Sequence, residues 1–380
     1  MINTIDFYDY LRKKNIDFFS GVPDSLLKDF CAYISDNVSE KMHIITANEG
    51  SAIGLGVGYY LSTKKTPLIY MQNSGFGNTV NPILSIADDL VYGIPMLLLI
   101  GWRGEPGIKD EPQHIRQGQV TEELLISMKL PYAILHSKSD FKKVIDEAIS
   151  SATNLSKPFA IIVKADTFEK YKLLNEIHTS FELDREGAIK LIIDSLKESD
   201  IVVSTTGKAS RELFEYRENL NQSHEKDFLT VGAMGHTSSI AMGIALQKLN
   251  QNVYCIDGDG SVLMHMGSLA INGQLKGVKN FKHIVINNGA HDSVGGQPTV
   301  GYDVDFVLIA KACGYDYVSS ASTSAEIIEQ LFAFSNYQGA CFLEIKVNKG
   351  SRTSLGRPST TPKENKNSFI NFLTNDTNNY

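Results

Sequence analysis

Asn252-Val-Tyr-Cys-Ile-Asp-Gly-Asp-Gly-Ser261, followed after the 26-residue stretch Ser261 to Ile286 by Asn287-Asn288, is the part of this chain that decides its fold. Asn252-Val-Tyr-Cys-Ile256 is a short β-branched and aromatic run bounded by turn residues, which predicts a buried parallel strand ending at the Gly258 turn. Asp259 then stands at a strand's carboxyl end. Glycines on either side let the backbone approach an anion, and the helix expected from about Gly267 would offer unpaired N–H groups. A second strand, His283-Ile-Val-Ile286, carries Asn287-Asn288 to the same sheet edge. A carboxylate, an amide oxygen and loop carbonyls are hard ligands, and together they suit octahedral Mg²⁺ bridging phosphate oxygens.

Taken singly, Gly-Asp-Gly and Asn-Asn are more often turns than sites. Paired at this spacing, each directly after a strand, they resemble the signature of thiamine diphosphate (ThDP) enzymes. That resemblance implies an α/β fold of two doubly wound parallel-sheet domains, a pyrimidine-binding (PYR) domain followed by a diphosphate-binding (PP) domain. Larger members insert a third domain, for which this chain has no room.

The residues themselves support an α/β reading. Strand patterns alternate with helical ones throughout: Ile44–Thr46, Leu68–Met71, Met96–Ile100, Tyr132–Leu135 and Phe159–Val163 in the first half; Ile201–Ser204, Val253–Ile256, His283–Ile286, Tyr317–Val318 and Cys341–Val347 in the second. Ala165 to Leu183 is charged and lacks a strand pattern, so it reads as a linker. The expected division is 1–168 (PYR), 169–184 (linker), 185–350 (PP) and 351–380 (tail). In the tail, Lys349 to Pro358 is basic and turn-rich and could be a mere trailing loop, while Ser368-Phe-Ile-Asn-Phe-Leu373 is able to dock as a helix. The composition of its last six residues, 375–380, favours disorder.

At 380 residues the chain exceeds one ordinary core. No apolar run is long enough to span a bilayer, and the first residues have neither a basic n-region nor an apolar h-region; the expectation is a cytoplasmic protein with no membrane partner. Cys31, Cys255, Cys313 and Cys341 lie far apart, with no metal spacing among them or the nine histidines, and read as reduced core thiols. A net charge of −7 argues against a nucleic-acid partner, yet a few local cations suffice for a small anionic substrate.

Glu49 follows the strand Ile44–Thr46 and precedes a helix rich in small residues. A Glu at a helix start commonly just complements the dipole. In ThDP enzymes a glutamate at such a junction hydrogen-bonds N1′ of the aminopyrimidine and promotes proton removal from the thiazolium, so Glu49 is expected to be catalytic. Gly54, Gly56 and Gly58 lie inside the helical pattern, which disfavours a dinucleotide fingerprint, and Gly207-Lys208-Ala209 fails as a P-loop. Val231 to Gly243 reads as a turn-to-helix transition with N–H groups available to phosphate. By resemblance Met234 supports the bent cofactor, although most methionines are core residues. Asn73, Thr206, Gly207, Gly235, His236, Gly260 and Ser261 join it as cofactor contacts. Asp259, Asn288 and the Ala290 carbonyl become the Mg²⁺ ligands, and Asn287 supports the turn.

The segments Ser20–Ser25, Met71–Asn78, Gly101–His114, Asn287–Ser293 and Gly350–Pro358 resemble the phosphonopyruvate decarboxylase family, with sulfopyruvate decarboxylases as near relatives. Both families act on a three-carbon 2-oxo acid bearing an anionic group at C3. The resemblance implies loss of CO₂ from phosphonopyruvate through a ThDP ylide and enamine, giving phosphonoacetaldehyde in phosphonate biosynthesis. Arg103, Lys109, Arg352 and Arg357 are candidates for the anionic group. Each could equally be a solvated surface charge. Asp24, His114 and His291 are candidate proton donors. It also implies a homo-oligomer, at least a dimer, with Glu49 and Asp259 acting across a subunit interface. A rival reading is a non-catalytic nucleotide-sensing module, which would keep the Gly-rich turns without needing Glu49.

Overall fold

The computed structural model describes residues 1–375; the expectation of disorder at the extreme C-terminus lies outside the described residues. The chain divides into two compact units, Met1–Glu176 with His291–Gln297, and Ile177–Ala290 with the chain from Pro298 on.

The first unit is built on a fully parallel six-stranded sheet: β1 (Phe19–Gly21), β2 (His43–Ile45), β3 (Leu68–Gln72), β4 (Leu97–Gly101), β5 (Tyr132–Leu135) and β6 (Phe159–Val163), in the order β2-β1-β3-β4-β6-β5. Successive strand residues point to opposite faces, and both faces are buried. Leu68, Tyr70, Leu97 and Leu99 join one core with Phe7, Phe30 and Ile145 from flanking helices. Ile69, Met71, Leu98 and Ile100 join the other with Ala52, Ile53 and Leu125. This is why these strands read as continuous apolar runs rather than alternating ones.

The second unit repeats the plan with β7 (Ile201–Ser204), β8 (Asp227–Leu229), β9 (Val253–Gly258), β10 (Phe281–Asn287), β11 (Tyr317–Ala321) and β12 (Cys341–Lys346), all parallel, in the order β11-β12-β10-β9-β7-β8. Tyr254 and Ile256 face one core with Leu213 and Leu331; Val253 and Cys255 face the other with Met242 and Phe306. There is no third domain among the described residues.

Two strands are absent from the sequence reading, β1 and β8, each only three residues long. A second difference lies at the Gly-Asp-Gly turn: a helical turn, Asp259–Met264, begins at Asp259 itself, ahead of the expected helix at Gly267–Gln274. The charged stretch from Ala165 is pinned by side chains. Asp29 accepts from the Tyr171 N–H, Asp36 from those of Leu174 and Asn175, and Asn348 from that of Phe181. The tail is more than a trailing loop. A helix, Pro362–Asn375, buries Phe369 in the second unit's core, and Asn365 bonds the open edge of β8 through the Asp227 carbonyl and the Leu229 N–H.

Candidate active site

In the first unit, Asn48 caps the helix Glu49–Thr63 by accepting from the Ser51 N–H (2.9 Å), which places Glu49 at the first helical position. Glu49 is 4% exposed, and among the described residues no Lys or Arg pairs with it. Its Oε2 accepts from Asn78 Nδ2 at 2.7 Å. Only glycine fits at position 75, because a Cβ there would lie 2.0 Å from Glu49 Oε1. Burial raises the carboxyl above its ordinary pKa, with Asn78 pulling the other way. A carboxyl of this kind can exchange a proton with a bound group.

Asp24, Arg103 and His114, separate in sequence, meet in one network of the same unit. Asp24 is fully buried; its Oδ1 accepts from Gln72 Nε2 (2.7 Å) and its Oδ2 from the Leu26 N–H (3.1 Å). Burial raises its pKa, opposed by those bonds and by Arg103. Arg103 grips Asp110 with Nε (2.8 Å) and Nη2 (2.5 Å) and donates from Nη1 to Ser25 Oγ (2.9 Å). His114 Nδ1 stands 3.1 Å from Asp110 Oδ1. Burial would raise the Asp110 carboxyl, but Arg103, His114 and the Gly104 N–H together hold it well below the usual range. Burial lowers His114, with Asp110 resisting. Asn73 is committed to local structure: its Nδ2 donates to the Arg103 carbonyl and to Thr121, and its Oδ1 accepts from the Arg103 N–H. Lys109 is exposed. His291 lies in the segment grouped with this unit, is half-buried, and is pushed down to about 4 by burial.

In the second unit β9 and β10 deliver Asp259 and Asn287-Asn288 as expected. Asp259 is 2% exposed and has no Lys or Arg partner among the described residues; Thr299 Oγ1 donates to its Oδ2. Burial pushes its pKa up to about 6 against the Thr299 bond and backbone N–H donors from Asn288 and Gly260. Asn287 ties the turn together, donating to the Gly301 carbonyl and Glu344 Oε1 (both 2.7 Å) and accepting from the Gly289 N–H. Asn288 Oδ1 accepts from the Ala290 N–H at 3.2 Å. A Cβ at Gly301 would stand 2.7 Å from Asp259 Oδ2, so the loop backbone closes directly on the carboxylate.

Ser261 gathers the remaining elements. Its Oγ accepts from the Gly235 N–H (3.0 Å) and lies 3.3 Å from Thr205 Oγ1. This bond draws the Met234–His236 loop to the Asp259 turn, where His236 stacks on His265 (centroids 4.5 Å apart). Met234 is half-buried, not a core residue, and Gly260 is buried. Thr206 and Gly207 are half-buried ahead of the helix Lys208–Asn219.

The remaining candidate cations differ. Arg352 is held by Glu186 (2.9 Å) and by Glu215, which makes it a tether for the tail loop; Arg357 is exposed. Sequence reasoning missed Asn78, Asp110, Thr205 and Thr299. Asn78, Thr205 and Thr299 act on partners distant in the chain, whereas Asp110 bonds Arg103 and His114, seven and four residues away, with no motif to mark the pairing.

A buried carboxylate without a cation, amide and carbonyl oxygens at the same strand ends, and a glycine-closed loop fit a magnesium-held diphosphate. A buried Glu49, its carboxyl pushed up by burial, fits an aminopyrimidine nitrogen. Known proteins similar to this chain point to the same organic cofactor. Residues 5–125 match the family described as thiamine pyrophosphate enzyme, N-terminal TPP binding domain, and residues 205–345 match its C-terminal TPP binding domain. Phosphonopyruvate decarboxylase of Streptomyces viridochromogenes is 30% identical, covering 98% of this chain and 96% of that protein. Sulfopyruvate decarboxylase of Methanosarcina acetivorans is 25% identical, covering 94% of each. Sulfopyruvate decarboxylase subunit alpha of Methanococcus maripaludis is 35% identical over 43% of this chain and 96% of its own length. The chain therefore belongs to the thiamine pyrophosphate enzymes, as a decarboxylase of the phosphonopyruvate and sulfopyruvate decarboxylase group.

Proposed function

We propose that this protein decarboxylates 3-phosphonopyruvate to phosphonoacetaldehyde and CO₂. The observation that carries this reading is the nearly full-length likeness to phosphonopyruvate decarboxylase, 30% identical over 98% of this chain, against 25% over 94% for the single-chain sulfopyruvate enzyme. Bound ThDP supplies the electron sink for the pair left when CO₂ departs.

The chain's own residues do the rest. Asp259, Asn288 and the Ala290 carbonyl would hold Mg²⁺ on the diphosphate, with Gly235, His236, Ser261, Thr206 and Gly207 around it and Met234 beneath the cofactor. Glu49 would meet the aminopyrimidine and hold its proton, positioned by Asn78. Arg103, held by Asp110 through Nε and Nη2 and by Ser25 through Nη1, is the favoured cation for the phosphonate; it pairs with one carboxylate, whereas Arg352 already serves two. Asp24, raised by burial, is the favoured proton donor to the product carbon. The active form is a homodimer or larger, with Glu49 of one protomer serving a diphosphate held by another, in a cytoplasmic setting.

The test is a product assay with phosphonopyruvate, sulfopyruvate and pyruvate. The expected outcome is the highest kcat/KM on phosphonopyruvate. A preference for sulfopyruvate would move the assignment to the second family, and a preference for pyruvate would remove the anionic-group reading altogether.

A further inference from the structure

Among the described residues one trio of metal-ligating side chains lies outside the expected cofactor site: Cys255, Asp257 and His283, all buried, each offering a donor atom within 4.8 Å of the others. The parallel register of β9 and β10 creates it. His283 pairs with Cys255 and Val285 with Asp257, and the period of two puts Cys255, Asp257 and His283 on one face of the sheet. His283 is fully buried, and its Nδ1 stands 3.1 Å from the Tyr315 hydroxyl. Its Nε2, 3.5 Å from Asp257 Oδ2, has no hydrogen-bond partner. An imidazole oriented through one nitrogen by a neighbouring side chain, with the other nitrogen left open toward a thiol and a carboxylate, is how protein metal sites hold histidine.

We propose that Cys255, Asp257 and His283 bind a divalent transition-metal ion, with zinc the ion that this donor set suits. Sulfur, nitrogen and oxygen donors select zinc and its neighbours, while magnesium takes oxygen alone, so this site is chemically distinct from the one expected at Asp259. A thiolate and a carboxylate offset the two positive charges, leaving a neutral cluster in an apolar core. Burial, with the Asp257 charge adding to it, raises the Cys255 thiol well above its ordinary pKa, so without metal the thiol keeps its proton. Metal binding displaces that proton, Cys-SH plus M²⁺ giving Cys-S-M⁺ plus H⁺. With every ligand inaccessible to solvent, the ion enters as the sheet forms. Its consequence is mechanical: Asp257 Oδ1 also accepts from the Gly258 N–H (3.0 Å), so the ion would brace the turn that presents Asp259.

The test uses the full chain, expressed with zinc and purified without chelator, for metal analysis, and a second sample refolded with Co²⁺ for absorption spectroscopy. Equimolar zinc that persists in Asp259→Ala and disappears in His283→Ala supports the site. So does a thiolate-to-cobalt charge-transfer band that Cys255→Ser lacks. Tyr315→Phe should weaken zinc affinity by about 10- to 100-fold. Zinc that vanishes with Asp259→Ala, or a cobalt band unchanged in Cys255→Ser, overturns the proposal. Because a core variant can fail to fold, the wild-type cobalt spectrum decides alone: a folded, cobalt-treated protein without the band sinks it.

Discussion

Glu49 and Asp259 share one physical situation, a buried carboxylate with hydrogen bonds and no Lys or Arg partner among the described residues, and each answers to a different experiment. For Glu49, replacement by Gln keeps the shape and removes the exchangeable proton. Turnover should fall by about 10²- to 10⁴-fold while calorimetric ThDP affinity is retained; full turnover would end the activation role. For Asp259 the readout is stability in magnesium-free buffer. Its pKa is raised to about 6, so the folded state holds the proton more tightly than the unfolded one. That stabilising contribution is complete below about pH 4 and gone above about pH 6. Asp259→Asn removes it, so denaturant titrations should show the variant gaining on wild type by about 3 kcal/mol between about pH 4 and about pH 7; a pH-independent difference would contradict the buried ionisation. Both carboxylates were legible in sequence because each directly follows a strand pattern. Asn78 and Thr299, which bond them, lie 29 and 40 residues away in the chain and carry no local signature.

At the level of elements, β9 and β10 announced themselves because a strand buried on both faces reads as an apolar run, and Gly and Asn mark where it stops. Strands β1 and β8 did not. Three residues carry too little pattern, and β8 is a strand by virtue of its neighbours: β7 on one side and, on the other, Asn365, whose amide takes the place of a further strand. Asn365→Ala leaves a buried carbonyl and N–H unpaired and should cost about 2 to 3 kcal/mol in urea denaturation, with ThDP affinity unchanged. A loss within experimental error would mean that Phe369 packing alone seats the C-terminal helix. The same reasoning explains the early helix at Asp259. Gly260 and Ser261 have weak helical propensity, but the Gly235 N–H bonded to Ser261 holds the turn in place.

For the whole molecule, the proposal that one protomer's Glu49 serves another's Asp259 predicts complementation. Glu49→Gln and Asp259→Ala proteins, each inactive alone, should regain activity when refolded together, because a mixed dimer contains one site with both residues intact. No recovery, with mixed dimers demonstrated by mass, would confine the site to a single chain. The two-sheet α/β architecture, the Gly-Asp-Gly to Asn-Asn pairing and the position of Glu49 were determined by the sequence itself, since each rests on contiguous residues: apolar periodicity, turn chemistry and short spacing are local properties. Tertiary structure alone decided how each cation is held. Arg103 and Arg352 look alike in sequence, and only packing shows one paired with the single carboxylate of Asp110 beside Ser25 and the other spent on Glu186 and Glu215. It alone also brought Cys255 opposite His283, because strand register is set by how two sheet faces bury their side chains and is written in no single segment.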